Sequence, residues 1–186
     1  MAHPIPTRPQ TFLHPLVHPL LLHRAAKPVV WCLCLAPLAW LVVALFTQQL
    51  GANPAEALLR STGDWALRGL CLALAITPLR QALGLPALAR MRRLIGLFAF
   101  FYAAIHALCY LWLDMGWQCA LALDDVLQRP FILVGALAVL LLLALALTSP
   151  KRAVQLLGAQ QWQRLHNSIH AAAWLALLHF YWMRLG

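Results

Sequence analysis

The sequence predicts an all-α integral membrane protein, a bundle of about five transmembrane helices. Hydrophobic residues make up 63% of the 186 residues and charged residues only 10%, whereas a soluble domain carries roughly 25% charged residues. The apolar residues also form continuous runs of about 20 residues, which is the length that crosses a hydrocarbon core of about 30 Å as a helix. Composition and run length together argue against an ordinary soluble domain.

The chain divides into an N-terminal segment and a transmembrane domain. Residues 1–28 are rich in Pro and His, and we expect them to form a cytoplasmic extension, because no apolar run with a small-residue cleavage site marks a signal peptide. Residues 29–186 form the transmembrane domain. We expect a polar loop at Gln48–Asp64, a short loop that carries Arg80, Arg90, Arg92 and Arg93, and further loops at Asp114–Arg129 and Ser149–Gln161. The five predicted helices lie between the loops and cover Val29–Thr47, Trp65–Leu83, Leu94–Leu113, Pro130–Thr148 and Trp162–Met183.

The charged residues fix the expected orientation. A net charge of +9 would suggest nucleic acid in a soluble protein, but here the basic residues lie in loops between apolar runs, so we expect lipid and no nucleic acid as partner. Cytoplasmic loops carry the excess of Lys and Arg, which places the N-terminus in the cytoplasm. The basic residues assigned to that side are Arg8, Arg24, Lys27, Arg80, Arg90, Arg92, Arg93, Lys151, Arg152 and Arg164, and the acidic residues on the other side are Glu56, Asp64, Asp114, Asp124 and Asp125.

Two histidines lie at matching depths on two predicted helices. His106 lies on the third helix and His179 on the fifth, both within roughly 6–10 Å of the outer boundary at 1.5 Å per residue. A neutral imidazole is a common axial ligand of haem iron, and histidines are rare inside membranes. We therefore expect the pair to ligate one haem b. The alternative is that each ring only hydrogen-bonds a carbonyl of a neighbouring helix.

His166 lies near the inner end of the fifth predicted helix, 13 residues before His179, or about 20 Å along a helix. This spacing suits a second haem, but the two positions are about 140° out of phase, and the third helix offers Arg92 and Arg93 at that depth instead of a histidine. We expect His166 to be a functional residue, and His170, one turn later on the same face, to be a substitute ligand, a second-shell partner or a packing residue. The first interpretation of Arg92 and Arg93 is that they anchor the cytoplasmic side of the helix according to the positive-inside rule. The alternative is that they bind an anion such as a haem propionate, a flavin phosphate or an acidic protein.

Several short segments follow one another along the chain in a specific order. They are Thr62-Gly63, Ile76-Thr77-Pro78-Leu79, Arg92 to Leu97, Ile105-His106, Arg129-Pro130-Phe131, Thr148-Ser149, Trp162 to Asn167, and His179. In this order and spacing they resemble the MsrQ family, also called YedZ, within the wider ferric-reductase-like transmembrane group. The resemblance covers about residues 50–182, and the family pattern continues into a sixth apolar segment, which this sequence does not contain.

The resemblance implies a membrane subunit of a bacterial inner-membrane system that repairs methionine sulfoxide in periplasmic proteins. It implies that electrons come from the quinone pool or a cytoplasmic flavin reductase, cross on haem b, and reach the periplasmic molybdopterin subunit MsrP. It also implies that His106, His166 and His179 are the haem ligands, and that FMN is a further cofactor. The chain would then be an electron-transfer subunit of an oxidoreductase complex.

Two other functions fit the same apolar bundle. A stand-alone ferric or quinone reductase is the first, although no Gly-rich nucleotide-binding motif follows a strand in this sequence, so hydride electrons would need a partner. A haem-free scaffold or transporter is the second, although transporters tend to show broken helices and internal repeats, and neither is evident here.

Overall fold

The computed structural model describes residues 19–185, and all the regular secondary structure in that range is helical. The predicted all-α membrane fold is thereby confirmed. Most of the predicted N-terminal segment, residues 1–18, lies outside the described residues. The elements are α1 (Ala26–Phe46), α2 (Pro54–Leu83), a 3-10 turn (Pro86–Leu88), α3 (Ala89–Cys109) with a π-helical end (Tyr110–Asp114), α4 (Cys119–Gln128), α5 (Pro130–Leu147), α6 (Lys151–Leu157), α7 (Ala159–Asn167) and α8 (Ile169–Leu185).

Four ranges within the described residues are long and apolar enough to cross a membrane. They are Ala26–Phe46, Pro54–Leu83, Pro86–Asp114 and Pro130–Leu147. The prediction of one continuous fifth helix at residues 162–183 is wrong, because the chain turns at Ser168 between α7 and α8.

The turn at Ser168 has a local cause. The Ser168 hydroxyl donates to the carbonyl of Leu165 over 2.7 Å, and such a local hydrogen bond competes with the helical ladder. Helix α8, with 17 residues, is about 26 Å long. It therefore comes close to the thickness of a hydrocarbon core without help from α7.

Helix α2 begins well before the predicted second span. Asn53 caps it by accepting a hydrogen bond from the backbone N–H of Glu56, and Pro54 occupies its first turn, where a missing N–H costs little. The predicted polar loop at Gln48–Asp64 is therefore wrong from Pro54 onwards. The predicted loops at Asp114–Arg129 and Ser149–Gln161 are also partly helical, since they contain α4 and α6. In each case the helical segment is short or polar, and its composition is therefore similar to that of a loop.

Helices α2, α3, α5 and α8 form the central bundle. Helix α2 packs along α3 and α5 packs along α8, and the two pairs meet where α3 contacts α5 and α2 contacts α8. Small side chains let helix backbones approach closely in a membrane protein. The buried centre is accordingly rich in alanine and consists of Leu70, Ala99, Ala103, Leu142 and Ala172.

Helix α1 lies at the periphery and is attached to α3 by a tyrosine. The Tyr102 hydroxyl donates to the carbonyl of Cys34 over 2.7 Å and accepts from the N–H of Leu38 over 3.1 Å. In a regular helix the N–H of Leu38 would donate to the carbonyl of Cys34. The Tyr102 hydroxyl is therefore inserted between the two groups of this backbone hydrogen bond, beside Pro37. The contact satisfies backbone groups that Pro37 disturbs and fixes α1 against the bundle.

Candidate functional site

His106 projects from α3 towards α2. Its Nδ1 lies 2.9 Å from the carbonyl oxygen of Leu59. One turn further along α2, Gly63 faces the ring, and a Cβ at this position would lie 3.0 Å from His106 Nδ1. Neither Leu59 nor Gly63 was expected on a helix, because both fall in the predicted polar loop. The ring therefore occupies space that the absence of a side chain at Gly63 provides.

His179 repeats this arrangement on the other helix pair. It projects from α8 towards α5, and its Nδ1 lies 2.7 Å from the carbonyl oxygen of Phe131. Gly135 follows one turn later on α5, and a Cβ there would lie 2.8 Å from His179 Nδ1. Both histidines thus use the same device, a backbone carbonyl for Nδ1 and a glycine four residues later that leaves room for the ring.

The two imidazole rings lie together at one end of the bundle. Their centroids are 6.2 Å apart and their planes are inclined at 71°. With metal–imidazole bonds of about 2.0 Å and about 1.2 Å from a ring nitrogen to the ring centroid, two rings on opposite sides of one metal have centroids about 6.4 Å apart. Such rings are free to turn about the metal–nitrogen axis, so the inclination is compatible with shared ligation.

The carbonyl contacts are those that the alternative for the pair describes, and ligation of a metal by the pair stays a prediction. Within residues 19–185, each histidine hydrogen-bonds a neighbouring helix through Nδ1 and through no other ring atom. Placing the proton on Nδ1 leaves Nε2 with its lone pair, and a hydrogen bond at one ring nitrogen commonly orients and strengthens the other as a metal ligand. The two bonds are compatible with an oriented ligand, since they involve Nδ1 and not Nε2 of each ring.

His166 lies at the opposite end of the bundle from the pair. Its ring stacks on the indole of Trp162 with centroids 3.9 Å apart, and its Nε2 lies 3.2 Å from the Thr148 hydroxyl. Helix α7 is outside the four spans. Burial lowers the pKa of His166, the hydrogen bond with Thr148 opposes this, and the Arg92 charge lowers the pKa further. Together these contacts hold the ring beside Trp162, in a setting that favours its neutral form.

A cavity of about 290 Å³ adjoins His166. Arg92 and Arg93 line it from α3, and Trp162 and His166 line it from α7. The Nε of Arg93 donates to the hydroxyl of Ser149 over 3.1 Å. The structure thus brings Arg92, Arg93 and His166 together as one basic, aromatic cavity, distant from the His106–His179 pair.

The remaining predicted ligand does not join either site. His170 is exposed on α8, while His166 is half-buried on α7, because the turn at Ser168 breaks the helical register that would align them. Among the described residues, no cluster of three or more His, Cys, Asp or Glu could hold a metal ion. Within that part of the chain, the pair offers a metal two histidine ligands, and haem is a group that proteins hold through ligands of this kind.

Comparison with known proteins gives consistent matches. The family described as "Ferric reductase like transmembrane component" matches residues 62–180. A protein of Polaromonas naphthalenivorans, named protein-methionine-sulfoxide reductase heme-binding subunit MsrQ, is 55% identical over 89% of this chain and 76% of its own length. Proteins of the same name from Herminiimonas arsenicoxydans and Ralstonia nicotianae are 46% and 44% identical, over 86% and 88% of this chain and 73% and 75% of their own lengths. No solved structure matches the chain significantly.

The family match covers both the histidine pair and the cavity around His166. Residues 62–180 include the histidine pair, the two glycines that face it, and the basic cavity. The similarity to named relatives extends over more than four fifths of the chain. The chain therefore belongs to the ferric-reductase-like transmembrane family and, within it, to the MsrQ family.

Proposed function

We propose that this chain is the haem b-binding membrane subunit of a protein-methionine-sulfoxide reductase system. It takes up electrons from the quinone pool or a cytoplasmic flavin reductase and delivers them to a periplasmic molybdopterin subunit, MsrP. The observation that carries the proposal is the His106–His179 pair, whose centroid separation of 6.2 Å suits two axial ligands of one metal. The names of its relatives, haem-binding subunits of such a reductase, support the choice of cofactor and system.

A b-type haem supplies one-electron iron chemistry inside the membrane. The protein residues would position it: His106 of α3 and His179 of α8 would hold the iron, and the carbonyls of Leu59 and Phe131 fix both rings through Nδ1. Gly63 and Gly135 leave space for the rings. Because the ligands come from helices of both pairs, binding also ties α2–α3 to α5–α8.

We propose that the cavity around His166 is where electrons are taken up. Two arginines, an indole and a neutral imidazole suit a planar, electron-rich donor such as a quinol or a reduced flavin, FMN included. Among the described residues the cavity is lined by a single histidine, His166, whereas the pair supplies two, so we propose one haem per chain, held by the pair. In this arrangement the donor and the haem occupy opposite ends of the bundle.

With the positive-inside rule, this polarity places the His166 cavity on the cytoplasmic side of the bacterial inner membrane and the histidine pair on the periplasmic side. The N-terminus is then cytoplasmic. Electrons move from the cytoplasmic side of the membrane towards MsrP, which matches the location of oxidised periplasmic proteins.

Reconstitution in liposomes tests this function. The purified protein is reduced with a quinol in the membrane, and its reoxidation is followed in the visible spectrum after MsrP and a methionine sulfoxide peptide are added outside. We expect reoxidation only when both are present. Reoxidation by ferric chelates alone, with no response to MsrP, would instead indicate the stand-alone ferric reductase. A protein that carries no haem after expression with haem supplied would exclude both functions.

A further inference from the structure

Two arginines share one carboxylate beside the histidine pair. On α2, Asp64 directly follows Gly63, and its two carboxylate oxygens lie 3.8 Å from Arg68 and 3.7 Å from Arg184 of α8. Arg184 lies five residues after His179 on α8. In the sequence, Arg68 and Arg184 are two of the few basic residues assigned to the outer side, and they are far apart along the chain. The fold brings them to the same carboxylate.

These contacts are loose compared with other ion pairs of the chain. Arg60 lies 2.7 Å from Glu56, and Arg129 lies 2.8 Å from Asp125. A strong charge-assisted hydrogen bond has a separation of about 2.7–2.9 Å, so neither Arg68 nor Arg184 forms one with Asp64. Among the residues that the structure describes, these two cations face one carboxylate, so that one positive charge of this cluster has no matching anion there.

The cluster lines a groove that can receive a further group. Asp64, Arg68, Phe180 and Arg184 surround a cavity of about 290 Å³ between α2 and α8, where the two helices meet only loosely. Each guanidinium also rests on an aromatic ring, Arg68 on Trp65 at 4.8 Å and Arg184 on Phe180 at 5.0 Å. The rings keep both cations at the groove while their N–H donors stay available.

We propose that Arg68 and Arg184 bind a propionate carboxylate of the haem that His106 and His179 hold. The inference rests on the proposed function. One added carboxylate beside Asp64 balances the two arginines, and planar guanidinium groups suit carboxylate recognition. Two residues that line the groove directly follow residues of the histidine site in the chain, Asp64 after Gly63 and Phe180 after His179, so a carboxylate of a haem held there would have a short path to the groove.

Haem dimethyl ester, which lacks the carboxylates, tests this assignment directly. The apo-protein in neutral detergent is titrated with haem and with the ester, and the ratio of the two affinities is compared among variants. We expect the wild type to prefer haem by about tenfold, or about 1.4 kcal/mol, and the double variant Arg68→Gln/Arg184→Gln to bind both equally. Arg60→Gln, on the same helix but paired with Glu56, is the matched control and should keep the wild-type ratio.

A second variant, Asp64→Asn, should increase the preference for haem over the ester instead of removing it. Asp64→Asn removes the competing carboxylate, so we expect it to raise the preference for haem over the ester and the midpoint potential of the haem. A double arginine variant with the wild-type ratio, or an Asp64→Asn variant with an unchanged one, would overturn the assignment. An effect that appears only with anionic lipid and equally for haem and ester would assign the arginines to lipid. A wild type that binds neither compound would refute the proposed function itself.

Discussion

Replacing Gly135 by alanine should weaken haem binding through a single methyl group. The added Cβ would lie 2.8 Å from Nδ1, 2.9 Å from Cε1 and 3.0 Å from Cγ of His179, where ordinary contact starts at 3.4 Å. The ring must therefore retreat by about 0.6 Å, the difference between 3.4 and 2.8 Å. That retreat stretches its 2.7 Å bond to Phe131 and displaces the ligand atom.

Overpacking of this kind costs about 1–3 kcal/mol, which corresponds to a loss of affinity of about 5- to 150-fold. The rate of haem transfer to apomyoglobin measures this loss, and the low-spin spectrum reports whether both ligands stay bound. Gly63→Ala should act in the same direction but less strongly, because its Cβ would lie 3.0 Å from His106 Nδ1.

Gly96 offers the matched control. It also lies within a helix, and an alanine there meets only the Ala73 side chain at 4.0 Å. All three replacements gain about 1 kcal/mol of helix propensity, so the difference between them isolates the contact with the histidine. If Gly135→Ala released haem no faster than Gly96→Ala, the proposed support of His179 by α5 would be refuted.

Three further predictions follow from other contacts of the bundle. Replacing Arg92 and Arg93 by Gln should slow reduction by quinol or flavin in stopped-flow assays and leave the haem spectrum intact, because both line the distant cavity; normal donor kinetics would return them to the role of topology anchors. Tyr102→Phe should lower stability in detergent by about 1–3 kcal/mol, measured by thermal unfolding, since Cys34 and Leu38 lose their shared partner; an unchanged midpoint would contradict the attachment of α1. A cysteine introduced between Arg80 and Arg93 should react with a membrane-impermeant reagent only from the cytoplasm, and periplasmic labelling would reverse the proposed orientation.

The sequence predicts the fold class and the depth of the histidine pair because both depend on regular geometry. A helix rises by a fixed 1.5 Å per residue, so the distances of His106 and His179 from the ends of their helices place them at one level, and the rings indeed lie 6.2 Å apart. Ligation of a metal by the pair stays a prediction that the spectroscopic measurements below address.

The sequence does not predict the supports of the pair, since they depend on tertiary contacts. The Leu59 carbonyl lies near the start of α2, in a stretch that the sequence predicts to be a loop. A backbone carbonyl is present at every residue, so side-chain composition does not indicate which one accepts a hydrogen bond. A glycine four residues after each carbonyl, Gly63 and Gly135, is the one sequence pattern that could have indicated it. A single serine, Ser168, within an apolar run is also a weak indication that the helix ends there. The proximity of Arg68 and Arg184 depends on the packing of α2 against α8, which the sequence does not predict.

The central claim is that His106 and His179 are the two axial ligands of one haem. Electron paramagnetic resonance of the oxidised protein, with haem-to-protein ratios, tests it most directly in the wild type and in His106→Ala, His179→Ala and His166→Ala. We expect one low-spin haem per chain in the wild type and in His166→Ala, and loss of haem or a high-spin signal in the other two variants. Full low-spin haem in both His106→Ala and His179→Ala would contradict the claim, and loss of a second haem in His166→Ala would contradict the proposed single haem.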